Sequence, residues 1–301
     1  MFTVMSDGGA RFDRDDGVTA GAQRARAALA GTRFADVRWV ATTGSTNSDA
    51  LALARDGAPE GIVVVADHQS AGRGRRARTW VAPPGGSLLL SVLLRPPARV
   101  AGAVTMAAAV ALAEAIEEVA GITAGLKWPN DLVVATADGD RKLAGILAEA
   151  DWPAGSTISG GYRAPAPHDR AVVVVGIGLN VTWPRASGAT GGDDGLAELA
   201  DTATALNWVG PEIDRVDVLV AFLRRLEGCC AALVRSGTAG LLAEWRRRSA
   251  TLGRRVRVDL GADDVEGTAV DVTDDGHLVV ETLEGGRRTL AVGDVVHVRP
   301  F

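Results

Sequence analysis

The sequence contains very little lysine. Of its 32 basic residues 30 are arginines, and the two lysines, Lys127 and Lys142, lie fifteen positions apart. Compositional drift can replace exposed lysines by arginines, because both are solvated cations there, but it should spare sites that need a compact ammonium on a slim stem. The two lysines are therefore candidate functional residues. The alternative is that two ordinary lysines survived the drift.

Cysteine is equally scarce. Cys229 and Cys230 are adjacent and alone, so they provide neither a disulfide framework nor the four ligands of a structural zinc site. The segment Met1 to Asp16 has Asp and Gly where a signal peptide needs an apolar core. The longest apolar stretch, Val100 to Ala115, is too short for a membrane span and predicts a buried helix. We therefore expect a cytoplasmic protein without a membrane partner.

The overall charge is mildly negative. A formal net charge of -5 argues against broad electrostatic binding to nucleic acid, although local positive patches remain possible. A composition of 47% hydrophobic and 23% charged residues is typical of a folded globular protein, and the length favours two domains.

The chain divides into three segments by pattern. Residues 1–37 lack a sustained apolar periodicity, which favours a flexible N-terminal arm or one short docking helix near Ala20 to Ala30. Residues 38–250 mix helical and strand patterns, which predicts an α+β domain. Residues 251–301 contain five short alternating strands separated by Gly/Asp turns, which predicts a small β-barrel. The strands predicted before the barrel are Val37–Val40, Ile62–Ala66, Ser87–Leu94, Leu132–Ala135, Leu143–Glu149 and Val172–Ile177, and the helices are Ser48–Arg55, Val100–Val119, Ile213–Arg235 and Leu241–Arg248.

Positive charge concentrates in one loop. Four arginines lie within Gly72-Arg73-Gly74-Arg75-Arg76-Ala77-Arg78, and the glycines allow a ligand to approach the backbone closely. Taken alone, the loop fits an anion site, a solvated charged loop or a nucleic-acid patch. Gln69, Ser70 and Trp80 flank it, and this mixture of amide, cation and aromatic groups favours a polar small molecule with an anionic tail. Trp80 is equally compatible with a role as a core anchor.

A second glycine-containing segment follows a predicted strand. Gly176-Ile177-Gly178-Leu179-Asn180 lacks the third glycine of a dinucleotide fingerprint, and no Walker A sequence is present, so a Rossmann dehydrogenase is not expected. Gly176 and Gly178 indicate close backbone contact, and Asn180 offers an amide at the mouth of a site. A plain strand-to-loop exit explains the same segment equally well.

Five motifs together resemble the ordered motifs of the biotin protein ligases. The resemblance covers about residues 38–301. It implies a catalytic domain like that of class II aminoacyl-tRNA synthetases, with a mixed sheet and packed helices, followed by an SH3-like barrel. The motifs are Gly44-Ser45-Thr46-Asn47, Gln69 to Arg78, Lys127-Trp128-Pro129-Asn130-Asp131, Arg141-Lys142-Leu143-Ala144-Gly145-Ile146-Leu147 and Gly176 to Asn180.

The resemblance implies a two-step reaction. Biotin and ATP give biotinyl-5'-adenylate and pyrophosphate, and biotin is then transferred to one lysine of a biotin carboxyl carrier domain of an acyl-CoA carboxylase, such as acetyl-CoA carboxylase. A carboxylate about 4 Å from a phosphate is repelled by about 4 kcal/mol at an effective dielectric near 20, so cations are needed. The resemblance places Lys142 between the two anions and makes Lys142 and Arg75 the catalytic residues. Mg²⁺, expected near Asp131, would neutralise the departing pyrophosphate.

The resemblance also assigns the remaining site residues. The arginine loop, residues 71–80, is expected to become ordered when biotinyl-adenylate binds. The residues implied for biotin are Ser45, Thr46, Asn47, Gln69, Gly72, Arg73, Gly74, Arg75, Lys142, Gly145 and Gly176, and those implied for the nucleotide are Arg76, Arg78, Trp80, Lys127, Asn130, Asp131 and Asn180.

Three rival functions fit less well. A repressor or nucleic-acid binder is supported by the arginine loop, but only 43 residues precede Gly44 and they lack the pattern of a helix-turn-helix, so a ligase without DNA binding is expected. A biotin carrier needs an exposed lysine on a hairpin, usually within Met-Lys-Met, which neither lysine supplies. Lipoate ligases and octanoyltransferases share the fold, but they depart from the Gly-Arg-Gly-Arg-Arg motif.

Overall fold

The computed structural model describes residues 20–151, 157–158, 161–162, 166, 169–184, 199, 202–261, 264–291 and 293–297. Within these ranges the chain forms a seven-stranded mixed sheet covered by helices, followed by a five-stranded antiparallel sheet. This arrangement confirms the α+β class and the appended small β domain that the sequence predicts. The N-terminal arm predicted for residues 1–37 lies partly outside the described residues.

The helices of the described residues are α1 (Ala20–Ala28), α2 (Thr46–Arg55), α3 (Ala98–Ala101), α4 (Val104–Ala120), α5 (Leu206–Val209), α6 (Arg215–Ser236) and α7 (Ala239–Arg248). The strands are β1 (Val37–Thr43), β2 (Val63–Gln69), β3 (Ser87–Leu94), β4 (Gly125–Lys127), β5 (Asp131–Thr136), β6 (Gly139–Asp151), β7 (Thr157–Ile158), β8 (Gly161–Tyr162), β9 (Val172–Asn180), β10 (Arg255–Asp259), β11 (Asp264–Val272), β12 (Leu278–Thr282), β13 (Arg287–Leu290) and β14 (Asp294–His297). The large sheet has the order β1-β2-β3-β9-β6-β5-β4, in which β1 and β2 are parallel and the other pairs are antiparallel.

Strand β9 shows how the sequence assigns the two faces of this sheet. Successive side chains of a strand point to opposite faces. Val175, Ile177 and Leu179 lie in the main hydrophobic core beneath the helices. Gly176 and Gly178 therefore point to the other face, at the centre of the sheet. The surface of the sheet therefore carries no side chains at Gly176 and Gly178, and we call this surface the glycine floor.

The helical layer is packed closely because α4 is rich in alanine. Its residues 106–113 are all buried, and the helix lies between the sheet and α6. Helix α2 packs on the opposite face through Ala50 and Ala54, which contact Ile62, Val64 and Val174. Since α2 covers only part of that face, the glycine floor of β9 remains available to a site.

The N-terminal segment is docked over its described part. Ala22, Ala25 and Leu29 are fully buried in the main core, and α1 packs against α6. Arg24 forms ion pairs with Asp214 and Asp217 at the start of α6. Of the two alternatives left open for this segment, residues from Ala20 onward form the short docking helix, which corrects the expectation of a flexible arm up to residue 37.

Several element boundaries differ from the sequence expectation. The helix predicted over Val100–Val119 is interrupted near Gly102 and forms α3 and α4. Strand β6 begins at Gly139 rather than at Leu143, because its polar first residues continue the hairpin with β5. Strand β4 is too short to produce a periodic pattern, and the sequence did not predict it.

The C-terminal sheet continues the core of the large sheet and its helices. Trp128 is buried and its Nε1 donates a hydrogen bond to the carbonyl oxygen of Gly276 at 2.9 Å. Arg246 on α7 forms an ion pair with Asp271 on β11 at 2.6 Å. These contacts fix the position of the small sheet beside the large one.

No helix among the described residues is long and apolar enough to cross a membrane.

Candidate active site

A cavity of about 620 Å³ gathers most of the residues that the sequence singles out. It lies over the central strands of the large sheet and is bounded by the arginine loop and by the start of β14. Gly72 and Arg76 instead line an adjoining outer cavity formed by the same loop. Of the eighteen predicted residues, those that line the first cavity are Ser45, Thr46, Asn47, Gln69, Arg73, Gly74, Arg75, Arg78, Trp80, Lys127, Asn130, Asp131, Lys142, Gly145, Gly176 and Asn180.

One end of the cavity is formed by the start of α2. The helix begins at Thr46, two residues before the predicted Ser48, and Ser45 is its N-cap residue but makes no side-chain capping bond. Gln69 Oε1 accepts hydrogen bonds from the backbone N–H of Thr46 at 2.8 Å and from its hydroxyl at 3.1 Å. Neither the Ser45 hydroxyl nor the Gln69 Nε2 has a partner among the described residues. A hydroxyl and an amide donor therefore face the cavity.

A buried polar chain connects this end to the arginine loop. Ser91 Oγ lies 2.6 Å from Asn47 Oδ1. The Asn47 amide nitrogen donates to Glu149 Oε2 at 2.8 Å, and the same carboxylate oxygen accepts from Arg73 at 2.7 Å. Asn47 is buried, so its side chain serves to hold strands and helix together at the edge of the cavity.

The floor consists of glycines covered by an indole. A Cβ on Gly145 would lie 2.8 Å from Cζ3 of Trp80 and 3.2 Å from Nζ of Lys142, and a Cβ on Gly178 would overlap the indole ring. At Gly176 a Cβ would overlap the amide of Asn47. Only glycine therefore fits at these three strand positions. The Trp80 indole nitrogen is buried and has no hydrogen-bond partner among the described residues.

The two lysines lie at the same side of the cavity in different surroundings. Lys142 Nζ forms an ion pair with Asp131 Oδ1 at 2.7 Å. The ammonium also lies 5.4 Å from the centroid of the Trp80 ring. Lys127 has no ion-pair partner among the described residues. Burial lowers the pKa of Lys127, and the charges of Asp131 and Asp140 oppose this effect.

The arginine loop is held by carboxylates from two parts of the chain. Arg73 pairs with Glu149 of the large sheet, whereas Arg76 and Arg78 pair with Asp259 and Asp294 of the C-terminal sheet.

Arg75 has the most enclosed position of the four arginines. Its Nη1 donates to the carbonyl oxygen of Gly293 at 3.3 Å and to Asn130 Oδ1 at 3.4 Å. Burial lowers the pKa of Arg75, and Asp131 opposes the shift.

The two asparagines have mainly internal partners. Asn180 Nδ2 donates to the carbonyl oxygen of Thr204 at 3.0 Å, and the residue is almost fully buried, so it lies deeper than the mouth position that the sequence suggested. Asn130 Nδ2 donates to the carbonyl oxygen of Ile146 at 2.8 Å. Both residues join neighbouring segments around the cavity.

Sequence reasoning missed several polar residues in and around the cavity. Ser91 could have been found, because a serine interrupts an apolar strand at an even distance from Ser87. Glu149 ends a predicted strand, which is a weak signal. Asp259 and Asp294 carry no local signal, since their partners lie about 200 residues earlier.

The two cysteines do not line either of these cavities. Burial raises the pKa of both Cys229 and Cys230 to about 11, which leaves them as unreactive thiols. Among the described residues, no group of three or more His, Cys, Asp and Glu side chains is arranged to hold a metal ion.

Comparison with known proteins identifies the family. Residues 39–157 match the Biotin/lipoate A/B protein ligase family and residues 251–298 match the Biotin protein ligase C terminal domain. The biotin--[acetyl-CoA-carboxylase] ligase of Mycobacterium tuberculosis is 37% identical over 283 residues, which cover 90% of this chain and 92% of the relative. The ligase of the same name from Paracoccus denitrificans is 33% identical, with 85% and 98% covered.

A solved structure supports the same assignment. The biotin protein ligase from Aquifex aeolicus in complex with biotin and ATP is 25% identical, has a TM-score of 0.67 and covers 89% of this chain and all of its own. The motifs, the cavity and these relatives agree, and the chain belongs to the biotin protein ligase family.

Proposed function

We infer that this chain catalyses the ATP-dependent ligation of biotin to a lysine of a biotin carboxyl carrier domain, by way of biotinyl-5'-AMP. The inference rests on the groups that line one cavity. Amide and hydroxyl donors stand at one end, and the glycines covered by the Trp80 indole form the floor. Two lysines and two arginines, Lys127, Lys142, Arg75 and Arg78, stand at the other end. A small molecule with a polar uncharged head, an apolar body and an anionic tail fits this order of groups, and biotin has that form.

The polar end suits the ureido ring of biotin. We propose that Ser45, Thr46 and Gln69 bind this ring, because Gln69 is oriented through Thr46 and keeps its amide nitrogen for a ligand oxygen. A hydrogen bond to a neutral group of this kind contributes about 0.5 to 1.5 kcal/mol. Asn47 is proposed to act indirectly, because its side chain is already engaged with Ser91 and Glu149.

The middle of the cavity suits the apolar part of biotin. Because Gly145 and Gly176 carry no side chains, the Trp80 indole and the Asn47 amide lie close against the sheet, and the cavity stays open above them. We propose that Gly72, Arg73, Gly74 and Arg75 close over this part of the ligand from the loop side. We propose that Trp80 contacts both substrates through its ring, since its indole N–H is buried against Gly178.

The cationic end suits the reaction itself. Two anions at about 4 Å repel each other by about 4 kcal/mol at an effective dielectric near 20. We propose that the Lys142 ammonium bridges the biotin carboxylate and the α-phosphate while Asp131 holds it in place. Lys127, Arg75 and Arg78 would attend the phosphates, with Arg76 contributing from the outer cavity. Asn130 and Asn180 would keep the surrounding segments in register.

Magnesium is expected to arrive with the nucleotide. Asp131 lines the cavity and offers carboxylate oxygen, the ligand type that Mg²⁺ prefers, while the remaining ligands would be phosphate oxygens and water. Bound there, the ion would supply charge neutralisation for the departing pyrophosphate. A full protein cage is not needed for such an ion.

The second step needs an acceptor lysine from a partner protein. We propose that this partner is the carrier domain of an acyl-CoA carboxylase, whose neutral amine attacks the biotinyl carbonyl and releases AMP. No covalent intermediate with the enzyme is required. We further propose a cytoplasmic location, in keeping with two free cysteines, and a division into a catalytic domain (residues 38–250) and a C-terminal domain (residues 251–301).

Transfer of labelled biotin to a purified carboxyl carrier domain, with ATP and Mg²⁺, tests this function. Label should appear on the carrier, and a carrier whose acceptor lysine is changed to arginine should remain unlabelled. The variant Lys142→Ala should fold and bind biotin but transfer none. Labelling by this variant at the wild-type rate would contradict the assigned role of the ammonium.

A further inference from the structure

The carboxylate of Asp294 lies among three arginines of the loop. Asp294 is the first residue of β14, and its oxygens lie 3.7 Å from Arg75 and 3.5 Å from Arg76 and form a close ion pair with Arg78. Its side chain is 26% exposed and lines the same cavity as the two lysines. One carboxylate from the C-terminal sheet thus offsets part of the positive charge that the proposed function assigns to phosphates.

The backbone of the loop is also held from the C-terminal sheet. Arg76 and Ala77 have φ angles of 53° and 58°, a region that non-glycine residues adopt rarely and only when surrounding contacts impose it. The contacts come from Asp259, whose side chain accepts from Arg76 at 3.2 Å, and from the Gly293 carbonyl, which accepts from Arg75 at 3.3 Å. The shape of the loop therefore depends on β10 and on the residue that precedes β14.

Asp294 and bound phosphates cannot both interact with these arginines at full strength, because too many negative charges would then lie close together. The four arginines of the loop face three carboxylates, Glu149, Asp259 and Asp294. A nucleotide triphosphate brings at least three more negative charges to the same cations, and like charges a few ångströms apart repel strongly in a partly buried site. Of the two carboxylates from the C-terminal sheet, Asp294 is less exposed than Asp259 and contacts more of the arginines.

We propose that Asp294 is an internal counter-ion that competes with nucleotide phosphates for Arg75, Arg76 and Arg78, and so sets the affinity of the site for ATP. The proposal rests on the proposed function, which places phosphates at these arginines. Nucleotide binding exchanges the carboxylate for phosphate and weakens the hold of β14 on the loop. Asp294 is accordingly a residue that tunes affinity and positions the loop, and it takes no part in the bond-making steps.

The test compares nucleotide binding by three proteins. Calorimetric titration with the α,β-methylene analogue of ATP, which cannot be cleaved at the reacting bond, is done with saturating biotin on wild type, Asp294→Asn and Asp264→Asn. Asp264 lies on β11 of the same sheet, is exposed and pairs with Arg257 instead of with the loop, so it is a matched control for charge. We expect Asp294→Asn to bind about fivefold more tightly and Asp264→Asn to bind as wild type.

A second readout separates competition from a merely structural role. In Asp294→Asn without nucleotide, amide hydrogen exchange in residues 73–79 should be faster than in wild type, and the difference should disappear when nucleotide is bound. The variant Asp259→Asn, which removes a partner of Arg76 alone, should tighten binding in the same direction by a smaller factor.

Unchanged or weaker nucleotide binding by a folded Asp294→Asn would overturn the proposal, because Asp294 would then have only a structural role. If that variant does not fold, Asp259→Asn decides the matter, and weaker binding by it would have the same meaning. A failure of the proposed function is recognised separately, since wild-type protein would then form no biotinyl-5'-AMP whatever the affinity of the variants.

Discussion

The two lysines of the cavity differ in how their charge is balanced. Lys142 is paired with Asp131 and lies beside an indole, whereas Lys127 has no ion-pair partner within the described part of the chain. The scarcity of lysine in the sequence was enough to single out both residues. Their different surroundings could not be predicted, because Asp131 is close to Lys127 in sequence and contacts Lys142 only through the β5–β6 hairpin.

Exchange of Lys142 for arginine tests whether geometry matters as well as charge. Lys142→Arg keeps the positive charge but spreads it over a planar group that does not fit between Asp131 and Trp80. We expect normal folding and a rate of biotinyl-5'-AMP formation reduced by about 100-fold, which rapid-quench kinetics would measure. Arg141→Lys, next to it and outside the cavity, should have the wild-type rate. A wild-type rate in Lys142→Arg would show that any cation suffices.

The pKa of Lys127 predicts an alkaline limit for ATP use. Burial lowers this pKa below the ordinary lysine value of 10.5, so the positive charge is present below the lowered pKa and is lost as the pH rises through it. kcat/KM for ATP should therefore fall on the alkaline side earlier than an exposed lysine would allow. In Lys127→Arg the guanidinium keeps its charge, and the fall should move to higher pH. Identical pH profiles of the two proteins would exclude Lys127 from phosphate binding.

At the scale of single elements, β9 connects the pattern of the sequence with the shape of the site. The strand was predicted over Val172–Ile177, and it extends to Asn180 because Gly178 and Leu179 continue the pairing with β3 and β6. Alternation alone was sufficient to place both glycines on one face. That this face carries the cavity depends on α2 and Trp80, whose positions follow from tertiary packing and not from local sequence.

Addition of one methyl group to this strand should disturb biotin binding. In Gly178→Ala the new Cβ overlaps the indole of Trp80, which must move away from the floor. We expect a folded protein whose affinity for biotin, measured by calorimetry, is at least about tenfold lower, or about 1.4 kcal/mol. Gly228→Ala on α6 meets nothing within 4 Å and should bind biotin normally. Unchanged affinity in Gly178→Ala would mean that biotin does not lie against the indole that covers this floor.

At the scale of the whole molecule, the C-terminal sheet is part of the site rather than an appendage. It supplies Asp259 and Asp294 to the arginine loop, and Trp128 joins it to the lysine-bearing segment. The sequence predicted five short strands and a small barrel correctly as an antiparallel β domain. It could not indicate these contacts, because side chains some 200 residues apart meet only after both sheets have packed.

Loss of the Trp128 indole hydrogen bond should weaken the contact between the two sheets. Trp128→Phe removes the bond to Gly276 and leaves a carbonyl oxygen unpaired, at a cost of about 1 to 3 kcal/mol in the free energy of unfolding, measurable with urea. Hydrogen exchange in β11 and β12 should also increase. Trp208→Phe removes a comparable bond to Trp183 within the catalytic part and should leave exchange in β11 and β12 unchanged. Equal exchange in β11 and β12 of the two variants would contradict the proposed role of Trp128 in joining the two sheets.

The most direct test of the account is the formation of biotinyl-5'-AMP in the absence of any carrier protein. Wild-type protein is mixed with biotin, ATP and Mg²⁺, and the adenylate and pyrophosphate are measured by mass spectrometry and by a coupled assay. The account predicts one adenylate and one pyrophosphate per active site, and none with Lys142→Ala. Biotin and ATP that both bind to wild-type protein without yielding adenylate would contradict the central claim that this cavity activates biotin.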